Sequence, residues 1–153
     1  MSIRLSPLVN VTPQTIATAT LSVETKGEGF VEITREAKQF VAQAAAHNGA
    51  LLVYLRHTSA SLAIQENADP DVQTDLTTAL RRLAPDDAGW IHTIEGPDDM
   101  PSHVKAMLTG VSLQIPVVDG ELALGTWQGI FLIEHRTKPH RREIILQFAG
   151  SRR

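Results

Sequence analysis

Read from its start, the chain alternates apolar and polar positions, shifts to helical spacing, and then returns to extended patterns. Gln14 to Glu24 mixes Thr and Ser with apolar residues and predicts a strand with one exposed face. Gly27 and Gly29 mark a turn, and Phe30 to Ile33 reads as a second short strand. Ala37, Phe40, Val41, Ala44 and Ala45 fall on one stripe of a helix capped by Thr34, running to about His47 and ended by Asn48-Gly49. Ala50 to Arg56 is a continuous apolar run, expected to be a buried central strand, and His57 to Glu66 continues as a second extended stretch. Asp69-Pro70 opens another helix, whose stripe of Val72, Leu76, Ala79, Leu80 and Leu83 should face the core before Pro85 stops it. Trp90 to Glu95 reads as extended, Pro101-Ser102 opens a short helix ending near Gly110, and Val111 to Phe148 holds three or four strands. Asp119-Gly120 is a hairpin turn signal. The strands at the end connect through short turns and should be antiparallel, so the order favours an α+β fold over an alternating α/β wind.

A length of 153 residues suits a single domain. A net charge of -3 leaves no electrostatic footprint for nucleic acid. Arg141, Arg142, Arg152 and Arg153 read as a solvated strand flank and tail. The absence of cysteine removes disulfide and thiolate chemistry and fits a reducing compartment. No apolar stretch is long enough for a membrane span, and Met1 to Val11 lacks the features of a signal peptide. The expectation is a soluble cytoplasmic protein without a membrane or nucleic-acid partner.

Three segments carry candidate chemistry. In Arg56-His57-Thr58-Ser59-Ala60-Ser61, strand alternation would put His57, Ser59 and Ser61 on one face. They could bind an oxyanion or the outer shell of a metal, or form a hydroxyl-rich strand edge with a histidine satisfied by a carbonyl. In Trp90 to His103, two histidines, His92 and His103, flank a Gly-Pro-Asp-Asp loop. His103 is expected in a first helical turn, where the dipole favours a neutral imidazole, the form a zinc or similar ion requires. Glu95 or Asp99 could serve as ligand or orienting partner, although the spacing matches no self-sufficient zinc motif. In Gly125-Thr126-Trp127-Gln128, a glycine, a hydroxyl, an indole and a carboxamide interrupt the strand pattern like one wall of a site, with Trp127 more a core residue than a stacking platform. Asp69 and Asp71 are explained by helix capping, whereas Glu66 and Asn67 are not. His47 and His140 read as surface residues, and His135 either packs at a strand end or faces the site.

Taken together, Arg56 to Leu62, Glu66 to Val72, Glu95 to Ala106 and Ser112 to Gln128 closely resemble the YjbQ family, often labelled secondary thiamine-phosphate synthase. The resemblance covers nearly the whole chain in order. It implies one α+β domain over 1–153. The expected architecture is a mixed, mostly antiparallel sheet curled as a sandwich or half-barrel, with two main helices and one short one. It also implies a homotrimer with a polar pocket near subunit contacts, and a divalent metal, zinc or magnesium, on His57, His92 and His103. The implied reaction joins hydroxymethylpyrimidine diphosphate to thiazole phosphate and releases pyrophosphate. Thr58, Ser59, Ser61, Gly125, Thr126 and Gln128 would then hold the phosphorylated substrate, and Lys105 would add positive charge. Gln65 departs from the asparagine expected before Glu66-Asn67, Arg136 to Arg142 carries no implied function, and no standard glycine-rich phosphate cradle is present. A low-efficiency side activity is compatible with that lack. The alternatives are metal-assisted hydrolysis of a phosphorylated metabolite with His57 or Glu95 as general base, and a non-catalytic trimer that binds a small phosphorylated ligand.

Overall fold

The computed structural model describes residues 3–153, so Met1 and Ser2, the start of the segment read as lacking a signal peptide, lie outside the described residues. Strand β1 (Thr15–Glu24) and strand β2 (Gly29–Glu32) precede helix α1 (Thr34–Gln43). Strands β3 (Ala46–Leu55) and β4 (Ala60–Glu66) follow, then helices α2 (Pro70–Leu83) and α3 (Asp99–Thr109). Strands β5 (Ser112–Val118), β6 (Glu121–Leu122), β7 (Gln128–Glu134) and β8 (Arg141–Arg152) complete the chain. Sheet A has the order β1-β8-β3-β5-β6 and curls as a half-barrel, sheet B has the order β2-β7-β4, and every neighbouring pair is antiparallel. The expected single-domain α+β fold is the one observed.

Alternation in β3, β5 and β8 sends Leu51, Val53, Leu55, Ile115, Ile144 and Phe148 into the core, where α1 adds Ala37, Phe40 and Val41 and sheet B adds Leu62, Ile130 and Leu132. The opposite face of sheet A carries no charge over three successive cross-strand rows. Ile16 pairs with Ala149, Leu52 with Gln147, and Tyr54 with Ile145 and Ser112. Ile16, Leu52 and Tyr54 on that face are exposed.

Several local expectations shift. Thr34 is the first helical residue and not the cap: its hydroxyl donates to Glu32 Oε1 and accepts the Ile130 N–H, tying α1 to sheet B. Helix α1 stops at Gln43 because Ala45 takes a left-handed φ of 49°, which lets β3 begin four residues earlier than the apolar run suggested. Asn48-Gly49 therefore lies within β3, at a register shift against β8. A Cβ at Gly49 would press on the Ala149 carbonyl, the Gly150 Cα at 2.7 Å and the Phe148 ring at 2.9 Å. Gly49→Ala is expected to cost about 1–3 kcal/mol in urea unfolding, since two backbones must separate to admit one methyl group. Asp119 (φ 51°) and Gly120 (φ 88°) form the expected tight turn between β5 and β6.

Helix α2 has the expected Asp69 cap and Pro70 start, yet none of its residues is buried. Of its stripe, read as core-facing, Val72, Leu76 and Leu80 are covered in part, whereas Ala79 and Leu83 are exposed. Residues 90–95 form a looping segment and not a strand, with Ile91 and Ile94 fully or nearly fully exposed. The third helix is not short: it begins two residues before Pro101, which its first turn tolerates because the N–H missing there has no intrahelical partner.

Candidate metal centre

Helix α3 packs against β4, and this contact assembles the site. Asp99 and His103 lie four residues apart on one helical face, and the 90–98 loop brings His92 back over them. His92 Nε2 is 2.8 Å and His103 Nε2 3.1 Å from the same oxygen, Asp99 Oδ2. The three ligand atoms lie within 4.8 Å of one another. Asp99 is almost fully buried, whereas the two imidazoles remain partly open to solvent. His103 Nδ1 donates to the Thr58 carbonyl at 2.8 Å, which fixes the ring and its tautomer. A neutral His103 in that tautomer directs its Nε2 lone pair at a carboxylate oxygen. A proton or a cation must sit between them, and a divalent ion would satisfy both imidazoles and the carboxylate together. The donor set fits zinc, which takes two histidines and a carboxylate with a position left for water or substrate, better than magnesium, which prefers oxygen.

Arg136 holds this arrangement from behind. Its guanidinium reaches Asp99 Oδ1, Asp98 Oδ2 at 3.2 Å and the Glu95 carbonyl at 2.7 Å. Asp98, at the helix start, gives up capping and instead accepts from the Thr137 N–H (2.8 Å) and hydroxyl (3.0 Å). Burial works against its charge, but the Thr137 N–H, the Arg136 guanidinium and the Thr137 hydroxyl bring its pKa down to about 2. Asp99 is also held below the usual carboxylate range: burial opposes its charge, and the His92 hydrogen bond and Arg136 outweigh burial. An open groove of about 350 Å³ runs beside His103, lined by Thr58, Ala106, Met107, Gly110 and Val111.

The expected histidine trio is not assembled: Asp99 takes the place given to His57. His57 lies in the bend between β3 and β4, so the common strand face expected for His57, Ser59 and Ser61 does not form. Its Nε2 accepts the Glu143 N–H at 2.9 Å, so in the neutral ring Nδ1 carries the proton, and it faces Arg142 Nη1 at 3.5 Å. Burial, and then the Arg142 charge, lower its pKa. Ser59 contacts Arg142 through its hydroxyl and carbonyl. Ser61 is fully buried, 2.8 Å from His135 Nε2 and beside Thr109, whose hydroxyl donates to the Lys105 carbonyl. Lys105 is also buried, with its ammonium 3.4 Å from Glu28. Glu95 has a largely exposed side chain, 3.9 Å from Arg136 and not among the converging ligand atoms. Of the expected substrate-holding residues, Thr58 alone lines the groove next to His103.

Gly125, Thr126 and Gln128 lie elsewhere. Ala60 pairs with Glu134 at the histidine end of the β4–β7 ladder and Glu66 pairs with Gln128 at the other. Six residues of strand separate the two ends by about 20 Å. There Gln128 Oε1 accepts the Gly125 N–H at 2.8 Å, closing a turn that leaves Trp127 exposed and not in the core. Glu32 accepts from the Asn67 amide at 3.1 Å, which gives Asn67 a structural partner that capping did not provide.

Sequence reasoning missed the Arg142–Glu134 pair. Arg142, read as part of a solvated flank, is buried, and its Nε and Nη2 bond Glu134 at 2.7 and 2.6 Å. Glu134 also accepts from the Thr25 hydroxyl and the Arg136 N–H. Burial opposes its charge, and these bonds keep its pKa lowered. Next to it, burial and then the Lys105 charge push the His135 pKa down to about 4. His135 therefore binds a proton more readily in the unfolded chain, at 6.5, than in the native one. Its contribution is complete above about pH 6.5 and is lost as pH falls from there to about 4, a change of about 3 kcal/mol. Urea midpoints should fall over that window, and His135→Gln should flatten the slope.

A family model described as "UPF0047 protein YjbQ-like" matches residues 19–151. The chain is 47% identical over 131 residues to UPF0047 protein sll1880 of Synechocystis, covering 85% of this chain and 89% of that protein. It is 44% identical over 132 residues to the UPF0047 protein YjbQ of Salmonella typhimurium, covering 86% and 96%. Among solved structures, an uncharacterized conserved protein of the yjbq/upf0047 family from Clostridium acetobutylicum superposes with a TM-score of 0.80 at 35% identity, covering 85% and 98%.

Proposed function

The chain belongs to the UPF0047 family of YjbQ-like proteins, and we propose that it is a metal-dependent transferase joining hydroxymethylpyrimidine diphosphate to thiazole phosphate. The observation that carries this reading is the convergence of His92 Nε2, His103 Nε2 and Asp99 Oδ2 on one point beside an open groove. In this reaction the thiazole nitrogen bonds the pyrimidine methylene carbon as the carbon–oxygen bond to pyrophosphate breaks, and the electron pair leaves with pyrophosphate. An aromatic nitrogen with a free lone pair has no proton to lose, so no general base is required, which agrees with the engagement of the His57 Nε2 lone pair by the Glu143 N–H. A bound divalent ion would neutralise the charge that develops on pyrophosphate. The residues of the chain hold the ligand atoms in place: Thr58 orients His103, and Arg136 aligns Asp99. The apolar side of the groove, Ala106, Met107 and Val111, suits an aromatic ring.

A second reading is hydrolysis of a phosphorylated metabolite, favoured by the solvent exposure of both histidine rings, which lets water reach the ion. Glu95, whose carboxylate is largely exposed and not among the converging ligand atoms, would be the base. We further propose a homotrimer. A pocket that uses both the histidine end and the Gly125–Gln128 end needs two copies, because about 20 Å separates them within one. The test is direct: tag-free protein, given both substrates with zinc or with magnesium, should form thiamine phosphate. Failure with both ions would end the transferase reading, and inorganic phosphate released from single phosphorylated metabolites would support hydrolysis. A phosphorylated ligand bound without turnover would indicate a non-catalytic carrier. No helix among the described residues is long and apolar enough to cross a membrane.

A further inference from the structure

Residues 3–14 precede the family domain and carry a pattern the site does not use. Ile3, Leu5 and Leu8 are each more than four-fifths exposed, Val9 and Val11 are exposed too, and Arg4 is the single charge in the segment. The segment lies in extended chain and forms neither helix nor strand. An isolated chain gains nothing by leaving five large apolar side chains in water.

Register explains why the arm finds no place on its own subunit. Strand β1 runs antiparallel to β8, with Thr15 opposite Gly150, and the Gln14 N–H still reaches the Gly150 carbonyl. Strand β8 ends at Arg152, so the partner strand runs out as the arm begins. Pro13 lacks the N–H that would continue the ladder and holds Thr12 extended. The arm is therefore carried off the end of sheet A, away from its own molecule. Eleven extended residues reach about 36 Å, enough to cross a five-stranded sheet.

A matching surface exists on the same fold. Over three rows the outer face of sheet A presents Ile16, Leu52, Tyr54, Pro116 and Ile145 among uncharged Ala, Ser, Thr and Gln. Over those three rows the face is uncharged and partly apolar, which suits an extended apolar arm, and the next row closes it with the exposed Arg56–Glu143 pair.

We propose that residues 3–13 form an intersubunit clasp: the arm of one copy lies on the outer face of sheet A of a second copy. This rests on the self-association proposed above and adds an element outside the domain matched by the family. In sedimentation equilibrium, Leu5→Ser/Leu8→Ser/Val9→Ser should weaken assembly about 100-fold while circular dichroism stays unchanged. Trypsin should spare the Arg4–Leu5 bond in concentrated wild-type protein and cut it on dilution. An unchanged dissociation constant in the triple variant, with equal cleavage at both concentrations, would overturn the clasp and leave self-association standing. A wild-type protein that is monomeric at every concentration would overturn both.

Discussion

Arg142→Met is expected to cost about 3–5 kcal/mol, read from urea unfolding, because it leaves Glu134 buried as an uncompensated charge. In the native protein that carboxylate has no accessible surface and accepts from Arg142 twice, from Thr25 and from the Arg136 N–H. Methionine matches the length of the arginine stem but donates nothing, and the Glu134 carboxylate has no accessible surface through which water could replace the lost bonds. The companion variant Glu134→Leu/Arg142→Met should recover most of the loss, since a buried ion pair and an apolar pair of similar volume have comparable stability. A single variant within about 1 kcal/mol of wild type would mean that water already reaches Glu134. Loss of the pair should also be felt at the metal centre. Arg136 follows Glu134 by two residues, its N–H bonds the Glu134 carboxylate, and its guanidinium holds Asp98 and Asp99.

This network shows where reading the sequence stops. The core strands were legible because alternation in β5 and β8 and the apolar runs of β3 and β7 are direct records of which faces are dry. The Asp69-Pro70 helix start and the Asp119-Gly120 turn were legible because their chemistry is local. Arg142 was not: a lone arginine at the start of a strand looks the same whether it meets solvent or a carboxylate eight residues earlier across a loop. His57 joins the metal set only through the family resemblance, and one-dimensional spacing does not reveal that a backbone N–H already occupies its Nε2. His92 and His103 were found because they flank a loop leading into a helix, and Asp99 was visible only as one of two carboxylates near them, because the helix was expected to open at Pro101 and not at Asp99. The stripe of α2 was over-read for a different reason. An apolar stripe does not state how completely it is covered: Val72, Leu76 and Leu80 are covered in part, and Leu83 is exposed.

Near-stoichiometric zinc in wild-type protein, lost in Asp99→Asn and His103→Ala but retained in His57→Ala, is the expected result of metal analysis by mass spectrometry. The three variants separate this centre from the trio that the family resemblance implies. Asparagine keeps the shape of Asp99 and can still accept from Arg136, so its effect reports the charge and not a collapsed helix. Asp98 retains Arg136 and Thr137 in every variant, which anchors the start of α3. Removing an outer-shell partner of a metal ligand costs about 10–100-fold in affinity, and Asp99 stands in contact range of the ion itself, so a loss of at least about 100-fold is expected. Zinc retained by Asp99→Asn at wild-type affinity would move the ion away from this carboxylate. Zinc lost in a folded His57→Ala would show that the bend between β3 and β4 turns over on metal binding, because His57 would first have to release the Glu143 N–H. With the ion bound, His92 and His103 need not share Asp99 Oδ2 through protons. Thermal stability should therefore rise on adding zinc by the linkage expected for a ligand that binds only the folded state, and this rise should be absent in Asp99→Asn.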